Sequence, residues 1–167
     1  MNAPVTAGGI TVGLAILAWH GMRWWHANKG TKAKNWRALI PLGYGIVLGI
    51  LGSACAGGLI GGIFNRVRAA SNGTGEKVLN GATGATSATA TAAHLPALTM
   101  GGAILVVLAF TALIALWKKL GRDEIRQIGA GAVSGATLGT SAGVAGSGAL
   151  ALLPLINSIG DSLLNSI

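Results

Sequence analysis

Between Arg126 and Asp161 runs an uncharged stretch with glycine at Gly131, Gly135, Gly139 and Gly143, and Ser147 continues the row. A spacing of four puts these residues on one side of a helix, as a stripe bare of side chains. In water such a helix is poor, because each interior glycine costs about 1 kcal/mol relative to alanine. In a bilayer the backbone finds no water to bond, so the helix is enforced and the bare stripe lets another helix approach closely. The row therefore predicts a membrane location and tight helix packing.

The charges agree with it. They make up only 10% of the 167 residues, against about 25% in soluble domains. They are also clustered, leaving neutral runs at 1–22, 38–65, 78–117 and 127–160. A spanning helix needs about 20 mostly apolar residues, so each run holds one. The cores of the expected spans are Val5–Trp19, Leu39–Phe64, Ala97–Trp117 and Gly129–Ile156. The chain then divides into a first span (1–22), a basic Trp-rich loop (23–37), a second span (38–65) and a flexible external linker (66–96). A third span (97–117), a charged loop (118–128), a glycine-zipper fourth span (129–156) and an amphipathic tail (157–167) follow. The fold class is all-α: a polytopic transmembrane helical bundle of about four spans. The N-terminus has no positive residue before its apolar run, so a retained span is expected rather than a cleaved signal peptide.

Orientation follows from the basic residues. Arg23, Lys29, Lys32, Lys34 and Arg37 fall in the first loop, and Lys118, Lys119, Arg122 and Arg126 in the third. Short loops rich in Lys and Arg stay on the cytoplasmic side, which puts both termini outside. Trp19, Trp24, Trp25, Trp36 and Trp117 fall at the same face, where an aromatic belt belongs. Arg23, Trp24, Trp25, Lys29, Lys32, Lys34, Trp36, Arg37, Trp117, Lys118 and Lys119 are thus read as anchors on lipid headgroups. The net charge of +8 needs no nucleic acid to explain it, and nucleic-acid binding is not expected.

Between the second and third spans, Gly81–Ala92 reads as near-repeating Gly-Ala-Thr triplets, a low-complexity linker. Asn72-Gly-Thr74 matches a glycosylation sequon, a short and weak pattern. In the tail, Ile156, Ile159, Leu163 and Ile167 share one helical face, with Asn157, Asp161 and Asn165 opposite. Pro154 is expected to bend the chain ahead of it.

Small pairs recur in the second span, at Gly45 and Gly49 and at Gly58 and Gly62. With Gly131, Gly135, Gly139 and Gly143 they are the candidate helix-packing residues. Two readings stand: packing within one four-helix monomer, and self-association of copies. The second is favoured, because so small a monomer has few internal partners for so many small faces.

Little catalytic chemistry is legible. No span carries an ionisable residue in its interior, as proton relays and ion-coupled transporters require. His20, His26 and His94 are scattered, the lone Cys55 builds no metal cluster, and Gly129-Ala-Gly131 lacks the rest of a dinucleotide fingerprint. No catalytic, cofactor or metal site is expected, and no enzyme. Two functions remain. One is a self-assembling structural component of a larger membrane or virion complex. The other is a pore-forming oligomer, holin-like or conjugation-associated, with Thr137, Thr140, Ser141 and Ser147 as lining candidates.

Trp117-Lys-Lys-Leu-Gly-Arg-Asp-Glu-Ile-Arg126, running into Gly129–Gly148, resembles the small membrane proteins of actinobacterial phages and conjugative elements, as does the Ala/Thr/Gly linker. The resemblance implies a bacterial cytoplasmic membrane, or a viral one, and a place in a phage or mobile element. It supplies no site residue.

Overall fold

The structure, a computed structural model, describes residues 4–30, 35–86, 88–142 and 144–166. It is all-helical, with six α-helices and no strand among the described residues. Helix α1 (Ala7–Ala27) starts at Thr6, whose hydroxyl accepts from the Gly9 N–H at 3.3 Å. A 3-10 turn (Trp36–Leu39) leads into α2 (Ile40–Ala54), with Pro41 in its first turn, where a missing N–H costs nothing. Helix α3 (Gly58–Thr83) ends on Gly84 in the left-handed conformation. Helix α4 (Met100–Leu116) begins as α1 does, with the Thr99 hydroxyl accepting from Gly102 at 3.1 Å. After a 3-10 turn (Trp117–Lys119), α5 (Arg122–Leu138) starts where the Glu124 carboxylate accepts from the Gly121 N–H. Helix α6 (Val144–Asn165) completes the chain.

Four expectations need correction. The helix expected over 38–65 breaks at Cys55–Gly57, because Gly57-Gly58 turns the chain and Gly58 takes a φ of +72° that other residues rarely adopt. The glycine-zipper helix over 129–156 is two helices, α5 and α6. At the break, Thr140 and Ser141 hydroxyls donate to the Ala136 and Leu138 carbonyls and so relieve the helix end. The linker expected at 66–96 is helical to Thr83, because tertiary packing of Asn72 and Gly75 overrides their low helix propensity. Its remainder is a strap: Ala7 N–H donates to Ala88, Ala90 to Val5, Ala93 to Thr140 and Ala142 to Thr91. The amphipathic tail expected at 157–167 is, as far as Asn165, the last part of α6, and Pro154 lies inside that helix rather than ahead of it. Within α6 Gly160 is buried, Ile156 and Asn157 are half-buried with Ile156 against the core, and Ile159 and Leu163 are exposed.

The chain reverses direction between α1 and α2 and again between α4 and α5, so each pair is a hairpin in its path, although its two helices barely touch: α1 packs on α3 and α5, and α4 on α6 and, more lightly, α2. The two hairpins meet through α2 and α5, which run in the same direction: Gly45 faces Ile128 and Gly49 faces Ala132, while Gly131 faces Leu42 and Gly135 faces Ile46. These pairs are reciprocal, as a two-fold axis between the two helices requires. Helices α3 and α6 repeat the relation. Each leaves the C-terminal end of its hairpin, Gly61 against Cys55 and Gly146 against Ser141, and reaches the hairpin's N-terminal end, Gly75 against Gly8 and Gly160 against Gly101. The chain is an internal repeat of hairpin plus returning helix.

Among the described residues, three segments are long and apolar enough to cross a membrane: Trp36–Ala54, Met100–Lys119 and Gly146–Asn165. The third is α6, not the expected 129–156. Its packed stretch nevertheless begins and finishes at the same end of the hairpins.

Candidate functional site

The central seam is built by four of the anticipated packing residues. At Gly45, Gly49, Gly131 and Gly135 an added Cβ would run into the backbone of the opposite helix. Gly139 lies against Ile50 and the carbonyl of Gly135. Gly58 and Gly62 face open space, and Gly143 lies outside the described residues. Of the hydroxyls offered as pore lining, Thr137, Thr140 and Ser141 are buried and donate back to carbonyls of their own turn, and Ser147 is exposed. Ser134, also buried, reaches the Gly13 carbonyl of α1 at 3.3 Å.

Two asparagines fasten the returning helices, and neither was legible as a site. Asn72 on α3 accepts from the Thr6 N–H and donates to the Pro4 carbonyl. Asn157 on α6 accepts from the Thr99 N–H and donates to the Ala97 carbonyl. The sequence does carry a signal: Thr6-Ala-Gly-Gly9 with Asn72-Gly-Thr-Gly75 matches Thr99-Met-Gly-Gly102 with Asn157-Ser-Ile-Gly160. The Asn72 side chain is buried, and both ends of its amide are occupied by the bonds to Thr6 and Pro4.

The described basic residues of the first and third connections gather at the other end. The Trp24 indole donates to the Asn35 carbonyl at 2.9 Å, and its ring lies 4.7 Å from that of Trp36. Arg23 lines a recess with Asn35 and Gln127, joining the first loop to the start of α5. Arg37 shares another with Leu116 and Leu120, so both basic connections lie at one end. Trp25 is exposed, Lys29 lies in the turn after α1, and Trp117, Lys118 and Lys119 form the turn after α4. Lys32 and Lys34 lie outside the described residues.

At the opposite end the strap roofs a cavity of about 460 Å³, with Val5, Ser53, Arg68, His94, Leu98 and Thr140 in its lining. Arg68, assigned to a linker by its sequence, is only 4% exposed. One of its terminal nitrogens donates weakly to the Asn65 side chain at 3.5 Å, while its Nε and the Ser53 Oγ have no partner. Burial lowers the Arg68 pKa from its ordinary value, yet a guanidinium remains charged in a protein. No Asp or Glu lines the cavity, and among the described residues the one ion pair is Arg126 with Asp123. No group of three metal-ligating side chains occurs among the described residues. No protein-family model, no curated protein and no solved structure matches the chain.

Proposed function

We propose that this chain is a non-enzymatic integral membrane protein serving as a structural component of a larger membrane assembly, of the kind phages and mobile elements carry. The observation that carries the reading is the outer surface, where large apolar side chains stand around a seam rich in glycine and hydroxyls. Glycines and hydroxyls fill the seam, whereas Leu14, Met22, Ile40, Val107, Leu108, Ile114 and Leu116 point outward. Such a body is satisfied by lipid tails and close backbone contact, as membrane helices are. In this reading α1, α2, α4 and α5 are four spans joined by a glycine zipper. Helices α3 and α6 lie along the outer face with both termini, and the Trp and Lys side chains of the other end anchor in the cytoplasmic leaflet of a bacterial membrane. Copies associate through outward surfaces such as α3 around Gly62, since the seam glycines are occupied within one chain.

The topology is tested by thiol labelling in a Cys55→Ser background. Ala85→Cys and Asn165→Cys are expected to label from outside the cell, and Lys118→Cys only after permeabilisation. Should Asn165→Cys follow Lys118→Cys, α6 spans and the four-span scheme falls. Conductance across a planar bilayer tests the role: the structural reading expects silence from folded oligomer, and discrete steps would replace it with a pore.

A further inference from the structure

We infer that the cavity beneath the strap is a binding site for a singly charged phosphate oxyanion, with Arg68 as its cation and Ser53 as a hydroxyl donor. A buried charge is costly unless it is paired and hydrogen-bonded. Arg68 is almost fully buried and makes one long bond to a neutral side chain, leaving Nε unmatched. Ser53, 5% exposed and on a different helix, leaves its Oγ unmatched in the same lining. Two independent donors are thus held in one half-open recess with no acidic group beside them. The planar guanidinium fork suits the oxygens of a phosphate, bound through two parallel bonds.

The internal repeat shows that packing does not require these donors. At the place that Arg68 holds in α3, α6 carries buried Leu153, and at the place of Ser53 in α2 stands Gly139, the residue just past the end of α5. Both donors belong to one copy of the unit only, and both face the same cavity. One guanidinium neutralises one charge, which fits a phosphodiester. The cavity is far larger than a bare ion, and Val5, Ala54, Leu95 and Leu98 give it apolar walls, so the phosphate is expected to carry an apolar body. The headgroup of an anionic phospholipid and free phosphate share this chemistry. The inference does not depend on whether copies assemble.

The test is native mass spectrometry and thermal unfolding of the full chain in mild detergent, titrated with short-chain phosphatidylglycerol or with inorganic phosphate. The wild type is expected to retain one bound molecule and to melt higher with the ligand. Arg68→Leu, which copies the other repeat, should bind about tenfold or more weakly, the equivalent of losing one charge-assisted contact. Ser53→Ala should bind more weakly by a smaller factor, and Lys118→Ala/Lys119→Ala at the far end should not alter this site. Retention of phosphatidylglycerol alone assigns a lipid headgroup; retention of inorganic phosphate as well assigns free phosphate. Equal binding by wild type and Arg68→Leu overturns the inference. So does a wild type that neither retains nor is stabilised by either probe, a result independent of whether any variant folds.

Discussion

The two halves of the molecule, α1–α3 and α4–α6, share their corner contacts and differ in what fills the space between helices. Each has a threonine cap, a pair of glycines beneath it, and an asparagine reaching back from the returning helix. The first half places Gly13 where α1 meets α5, so that the Ser134 hydroxyl reaches the α1 backbone directly. The corresponding place in the second half is Val106, packed with Leu51 and Leu153, and α4 touches α2 more loosely, through Tyr44 donating to the Ala109 carbonyl. A repeat that keeps its corners can therefore vary its filling. Apolar filling closed the second half. Polar filling left Arg68 and Ser53 facing a cavity in the first.

The sharpest way to break this relation is at the shared seam. Gly135→Leu and Gly49→Leu would each drive a side chain into opposing backbone, and each is expected to cost about 3 kcal/mol or more, beyond ordinary overpacking. The signature is loss of the folded peak on gel filtration in detergent, with Gly148→Leu, which faces open space on α6, running as wild type. Intact folding of both seam variants would mean that α2 and α5 are not in backbone contact.

A second comparison sits at the corners. Asn72→Leu and Asn157→Leu each remove two hydrogen bonds to the start of a hairpin, worth about 2 kcal/mol together. Denaturant unfolding should find the two losses alike. A difference above about 1 kcal/mol would show that the two corners are not equivalent. The smallest effect concerns the filling: Val106→Ala is expected to cost about 1–2 kcal/mol by leaving a small void. Gly13→Ala should be at least as damaging in the same titration, since its Cβ meets Thr137 and Leu138. If Gly13→Ala is neutral, the close approach of α1 to α5 is not what distinguishes the halves.

The elements differ in how far they could be read in advance. Helix α4 was legible almost to its ends, because Met100–Leu116 is a charge-free apolar run bounded by Pro96 and Lys118. Helix α3 was not, because Ser71–Gly75 has the composition of a loop and becomes helical only through what Gly8 and Thr6 offer it. The breaks at Cys55–Gly57 and after Leu138 were hidden within neutral runs, where hydropathy carries no boundary. Arg68 was visible only as one more basic residue of a connection. Its seclusion comes from the return of α3 across the hairpin ends and from the strap laid over them.

The sequence by itself determined the all-helical class, the apolar segments and the clustering of charge and tryptophan into two connections. Those are properties of single segments, set by transfer free energy and by the period of the helix. Tertiary structure decided which glycines meet, and that they meet within one chain. It also set the return of α3 and α6 to the same end and the burial of an arginine beside an unmatched serine. None of these is a property of a segment, because a contact between residues far apart in the chain depends on shape at both ends, and only the folded backbone brings the two together.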